Sequence, residues 1–191
     1  DPELCIKHVQ TQAKPNLVCL MTKHVDDLKL TGQRNEVLNV LSHVQKEFGE
    51  LKITWNNFTN CGIRHSQDVK TKEIVIDQIE YLKKVRTITH ATMKSASANS
   101  EACHELHQLY MSLLGAIAYV SLTRPDAMVY ICALQRFNHK PQIIHVRRLN
   151  ALTRWLQRNP KGTKYCRLSA ASSGSSEGLY HIRVSSDAAF K

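Results

Sequence analysis

Asp26 and Asp27 are adjacent carboxylates set between two apolar runs, residues 17–21 and 28–30. Such a pair on a hairpin tip suits a hard divalent cation, because Mg2+ takes oxygen ligands and shares them with substrate phosphates. In two-metal phosphoryl transfer the ions lie about 3.5–4 Å apart and clamp the attacking and leaving oxygens. A tight turn can hold a carboxylate at such a place when both flanking strands are anchored in a sheet. Taken alone, the pair is a weak signal and reads more readily as a solvated turn, so its neighbours decide.

A second group of side chains is cationic. At about 100° per residue, Arg147, Arg154 and Arg158 fall within a helical stripe about 40° wide, with Leu149, Leu152 and Leu156 pointing the other way. One face can pack while the other tracks a phosphate backbone, and Lys161 and Lys164 extend it. Contacts of that kind position a duplex and read no sequence. Cys103, His104 and His107 are the one local Cys/His cluster, and a polar helix face accounts for them better than a metal site does. No CxxC pair exists among the six cysteines, which argues against zinc. Several cysteines sit in apolar runs, which suits buried, reduced thiols in an intracellular protein of the cytoplasm or nucleus.

Charge placement supports the cationic reading. The chain of 191 residues carries a formal net charge of +10. Residues 1–100 hold 14 basic and 11 acidic side chains, and residues 101–191 hold 12 and 5. Between residues 127 and 176 there are nine Lys/Arg and no Asp/Glu. Such a block attracts a polyanion, nucleic acid first; the bland reading is a soluble basic surface. No stretch reaches the roughly 18 apolar residues of a membrane span, so no membrane partner is expected. Both ends read as cut from something longer.

The elements that must position these groups are legible in outline. Residues 17–31 read as a β-hairpin with Asp26 and Asp27 at its tip. Residues 35–48 read as a helix, with Val37, Val40, Leu41, Val44 and Phe48 on one face and Gly49 as C-cap. Leu51, Ile53 and Trp55 alternate and predict a strand. A second hairpin is expected over residues 58–76, turning at Lys70-Thr71-Lys72, and Asp77 can cap a helix starting near Gln78. Residues 87–100 read as a loop. Three helices follow, over about residues 101–121, 125–137 and 143–157. Residues 169–178 form a low-complexity Ser/Ala/Gly linker, and residues 179–190 a final strand.

The string Lys23-His24-Val25-Asp26-Asp27-Leu28-Lys29-Leu30-Thr31-Gly32 resembles the Tyr-x-Asp-Asp motif of reverse transcriptases in its copia form. Further matches follow in order: Phe48-Gly49-Glu50-Leu51, Cys61-Gly62-Ile63, Gln78 with Tyr81, Leu114-Gly115, Thr123-Arg124-Pro125-Asp126, Pro141 with His145, Arg154-Trp155-Leu156, and Ser186-Asp187-Ala188. Thr-Arg-Pro-Asp is the most specific of them. The resemblance to copia-type retrotransposon reverse transcriptases spans nearly the whole chain.

The resemblance implies an α+β fold: part of a palm made of antiparallel hairpins and a covering helix, a three-helix thumb or connection, and an orphan ribonuclease H strand. The implied divisions are palm at 1–91, linker at 92–100, helices at 101–165, linker at 166–178 and ribonuclease H strand at 179–191. Asp26 would ligate catalytic Mg2+, with Asp27 beside it, and Asp187 would be the first metal-binding acid of the ribonuclease H domain. The hairpin at 58–76 would be the primer grip. The nucleic-acid contacts would be His24, Arg147, Arg154, Arg158, Lys161 and Lys164, and the partner an RNA–DNA hybrid or DNA duplex. His24 stands where the family has Tyr. The family's first palm aspartate and fingers would lie upstream and the remaining ribonuclease H acids downstream, so the chain alone is expected to be inactive. The alternatives are a non-enzymatic basic nucleic-acid-binding remnant and an inert transposon relic.

Overall fold

The computed structural model describes residues 3–10 and 15–166. Asp187, the Ser/Ala/Gly linker and the expected final strand lie outside the described residues. The fold is mixed α+β, with two small antiparallel sheets and six α-helices among the described residues. Two compact units divide the chain, Asp1–Cys61 and Gly62–Lys191.

In the first unit, β1 (Leu4–Gln10), β2 (Pro15–His24) and β3 (Asp27–Gly32) form an antiparallel sheet with β2 at its centre. β1 is an addition to the expected hairpin. Its alternation, Leu4 and Ile6 followed by Val9, is interrupted by a register shift between Lys7 and His8, which hides the period-2 signal. The helix α1 (Arg34–Phe48) buries Val37 and Leu41 against Cys19, and the amide of Gly49 closes it on the carbonyl of Gln45. Lys7 of β1 ties to Glu36 of α1 at 2.6 Å. Residues 51–55 are not a strand. Ile53 and Trp55 remain 40% and 44% exposed, and Trp55 is instead held under the guanidinium of Arg34, 5.3 Å from the ring centre. The strand β4 (Asn57–Asn60) closes the unit.

In the second unit the hairpin of β5 (Ile63–Gln67) and β6 (Ile74–Asp77) turns where the sequence predicts. Its start is displaced: the expected strand over 58–68 breaks at Cys61 and Gly62, both at positive φ (47° and 70°). Asp77 is buried and accepts from the Ile79 amide at 3.1 Å, one residue ahead of Gln78, the N-cap of α2 (Ile79–Lys84), and Arg64 grips its other oxygen at 2.8 Å. A third strand, β7 (Thr163–Tyr165), pairs with β6.

The three expected long helices are α4 (His104–Val120), α5 (Met128–Gln135) and α6 (Ile143–Arg158), preceded by a short α3 (Thr92–Ser95). Pro125 opens a 3-10 turn ahead of α5. Leu106, Tyr110, Ile117, Ile131, Val146, Leu149 and Leu156 make the core. Burial pushes the Tyr110 hydroxyl up to about 12, and that hydroxyl donates to the carbonyl of Leu134 at 2.7 Å. Residues 87–100 are fastened down rather than loose. The Asn150 side chain accepts from the Ile88 amide and donates to the Ile88 carbonyl, each at 2.8 Å. Ala98 and Ser100 accept the free amides of Ile144 and Ile143 at the start of α6. Of the cysteines, Cys19 is buried, whereas Cys5, Cys61, Cys103, Cys132 and Cys166 are exposed. His107 meets the Asn138 carbonyl at 2.6 Å and His104 meets Gln108, so this helix face is spent on structural contacts.

His145 closes the N-terminus of α6. Its Nδ1 accepts from the Gln142 amide at 3.0 Å, and its ring stacks on Phe137 at 3.7 Å. Burial, then the charge of Arg148, lowers its pKa below the usual 6.5. The folded state therefore holds fewer protons than the unfolded chain. The stabilisation is complete above pH 6.5 and is lost as pH falls through the lowered value. The melting temperature should drop as pH falls below the ordinary histidine value of 6.5. His145→Gln, which keeps a side-chain acceptor at the third helical position, should flatten the profile over this range. Thermal unfolding followed by circular dichroism checks it, and an unchanged slope in the variant would assign the effect elsewhere.

Candidate functional site

The hairpin tip is a two-residue turn, Val25-Asp26, with Asp27 opening β3 opposite His24. Val25 holds φ at +54°. A β-branched residue in this region is a genuine outlier, and strain of this sort costs of order 1–3 kcal/mol and collects at functional sites. The turn is forced from below. β2 pairs with β3 from Cys19↔Gly32 to His24↔Asp27 without a shift, and β1 flanks β2 on the other side. Gly32 makes the base of the hairpin tight: a Cβ there would lie 2.3 Å from the Val18 carbonyl oxygen and 2.7 Å from the Cys19 Cα.

Asp26, Asp27 and His24 are all exposed. Asn60 reaches Asp27 at 3.5 Å. Beside the two carboxylates lies an open cavity of about 630 Å³, with Leu30, Val37, Leu51 and Trp55 in its lining. Among the described residues no third His, Cys, Asp or Glu completes a metal cluster. The donor set fits one Mg2+, which is commonly held by one or two carboxylates plus water and substrate phosphate. It falls short of a two-ion clamp.

The basic residues lie in the second unit. Arg147, Arg154 and Arg158 are exposed on α6, as their spacing predicts. Arg147 donates to the Met93 carbonyl at 2.7 Å. The two lysines are engaged. Lys161 lies 3.5 Å from Asp126, and Lys164, on β7, lies 2.9 Å from Glu73. The hydrogen bond between Lys164 and Glu73 raises the pKa of the amine and lowers that of the acid. Arg154 and Arg158 take no part in the ion pairs among the described residues.

The Thr-Arg-Pro-Asp stretch, which sequence reasoning treated as a family mark, has a structural task. Arg124 is buried, with Nε and Nη2 on the two oxygens of Asp126 at 2.8 and 2.9 Å and Nη1 on the Asn159 carbonyl at 2.8 Å. Its guanidinium lies 5.1 Å from the centre of the Trp155 ring. Thr123 donates to Gln78 at 3.1 Å, and its carbonyl accepts from Thr163 at 2.9 Å.

Comparison of the chain with protein-family models, with curated proteins and with solved structures finds no match. Among the described residues no helix is long and apolar enough to cross a membrane.

The close approach at Gly32 yields a direct expectation. Gly32→Ala should destabilise the first unit by roughly 1–3 kcal/mol, the usual range for overpacking, because backbone rather than a movable side chain meets the new methyl. Urea unfolding monitored at a probe in residues 15–32 reads the loss. Wild-type stability in the variant would mean that the strands separate at little cost.

Proposed function

We propose that the chain carries part of an RNA-directed DNA polymerase of the copia retrotransposon type: the second metal-binding turn of the palm followed by the helices that hold the nucleic acid. The observation that carries this reading is the strained turn. A valine at positive φ puts two carboxylates on a short, register-locked hairpin tip beside an open cavity, and an ordinary solvated turn has no reason to keep that residue there. The ordered run of matching motifs supports it. On this reading Asp26 is the principal ligand of a catalytic Mg2+ and Asp27 an auxiliary one. The ion, when bound, neutralises charge on the reacting phosphate. The protein's own task is to fix the carboxylates and to position the primer end. A further aspartate from another strand is needed for the second ion, so the chain by itself should extend no primer.

A second reading, a basic module that binds nucleic acid without catalysis, is favoured by the two-carboxylate donor set. The two readings share the arginine face and differ at the turn. Paramagnetic Mn2+, substituting for Mg2+, should broaden the backbone amide resonances of residues 24–28 ahead of all others, and Asp26→Asn should remove the effect. Broadening spread over the whole surface would sink the polymerase reading and leave the binding module.

The arginine face is tested separately. Each phosphate contact on a B-form duplex contributes about −0.9 to the slope of log affinity against log salt. With Lys161 and Lys164 occupied by acids, Arg147, Arg154 and Arg158 should give a slope of roughly −2 to −3 on an RNA–DNA hybrid or DNA duplex. Replacing all three with Gln, which retains helix propensity, should bring the slope close to zero and weaken all sequences alike. An unaltered slope would make the stripe a solvated face.

A further inference from the structure

α6 presents a second feature beside the arginine stripe. Ala151 and Trp155 lie about 40° and 80° around the helix from Arg147, and Arg148 about 100°. These residues form one wall of a groove of about 580 Å³ whose other wall comes from α5, with Tyr130, and from Phe137 just beyond it. Ala133 and Ala151 line it with small side chains, which leave room between the aromatic walls. The aromatics are partly open: Tyr130 is 58%, Phe137 39% and Trp155 40% exposed.

Two of these rings are fixed before any partner arrives. Trp155 is backed by the Arg124 guanidinium, itself locked by Asp126 and Asn159. Phe137 is backed by the His145 ring at 3.7 Å and 16° from parallel. Each therefore has one partner within the fold and a remaining side toward the groove. Rings held in this way lose little conformational freedom on binding. The surroundings are mainly basic, and the nearby acid, Asp126, is held by Arg124 and Lys161. Arg148 lines the groove, Arg154 and Arg158 stand on the adjoining stripe, and residues 127–176 contain no acid.

We propose that this groove is a base-stacking slot for single-stranded nucleic acid, with the phosphates running along the Arg148, Arg154 and Arg158 side and unpaired bases entering between Trp155 and the rings of Tyr130 and Phe137. A planar π-face with attached phosphates matches both halves of the surface, the aromatic slot and the arginine-lined rim. An apolar peptide would satisfy the slot and waste the charge; a duplex would satisfy the charge and leave the slot empty, because its bases are already stacked. The proposal goes beyond the polymerase reading and does not depend on Asp26 or Asp27.

The test uses the full chain and two probes, a fluorescent oligodeoxythymidylate of about 12 nucleotides and a blunt DNA duplex of the same length. Trp155→Ala should weaken the single strand by roughly 5- to 150-fold, the range of one lost base–aromatic stack, and change duplex affinity by less than about twofold. Ala151→Leu fills the slot without touching charge or aromatics, and should produce the same split. Trp155→Phe should restore most of the single-strand affinity. Circular dichroism confirms folding, and Ala151→Leu carries the test if Trp155→Ala does not fold. Equal losses on both probes, or no single-strand binding by the folded wild type, would overturn the proposal. So would a wild-type chain that self-associates in sedimentation and is made monomeric by Ala151→Leu, since the groove would then be a protein-docking face. Loss of the duplex salt slope with the single-strand split intact would count against the duplex-binding reading alone.

Discussion

The second unit depends on one buried cation. Arg124 has its charge met by Asp126, its third donor pair by the Asn159 carbonyl, and its flat face by Trp155. A guanidinium taken out of water without those partners would cost several kcal/mol, so the loop after α4, the end of α6 and the Trp155 ring are obliged to meet. A lysine could not make the same fork. The pull on Asp126 is visible in its chemistry: the Arg124 hydrogen bonds, opposed by burial, hold its carboxyl below the ordinary range. Thr123 and Thr163 then bring Gln78 and β7 to the same place. The most specific motif of the sequence is thus a fastening point, and the groove wall built on Trp155 is a by-product of it.

The first unit is organised differently. Its buried apolar set is small, centred on Cys19, Val37 and Leu41, and much of its apolar surface stays open, with Ile6 53% and Phe48 82% exposed. What fixes the hairpin tip is backbone pairing rather than core volume. Six register pairs between β2 and β3 end at His24↔Asp27, and the close contact at Gly32 sets their origin. That arrangement can hold a carboxylate firmly at an exposed position, where side-chain packing could not reach it.

Much of this was legible in the residues. The hairpin at Asp26-Asp27, the helix ending at Gly49, the helix start after Asp77 and the apolar face of α6 all follow from period and punctuation, because each is decided within a few residues. The misses are non-local. The alternation of Leu51, Ile53 and Trp55 predicted a strand, but a strand exists only with a ladder partner, and a cation–π contact with Arg34 holds Trp55 instead. The Ser/Thr/Ala-rich run at 87–100 read as a loop, and apart from α3 it has no regular structure, but its anchors on α6 are too distant in sequence to be read from it. Lys164 looked like part of the arginine face until β7 carried it to Glu73. The exposed aromatic groove was invisible because Tyr130, in a helix as apolar as α5, and Phe137 just beyond it pass for core.

Asn150 spends its whole amide on the backbone of Ile88, a residue 62 positions earlier in the chain. One side chain thereby stands in for a neighbouring strand, supplying an acceptor and a donor to a residue that belongs to no sheet. The pairing cannot form until the intervening chain has closed on itself, and the entropy of that closure must be met before the two bonds give anything back. Non-local contacts of this kind are what slow a fold. The ordering of residues 85–91 is therefore tied to the arrival of α6, and the middle of the unit takes shape with its end.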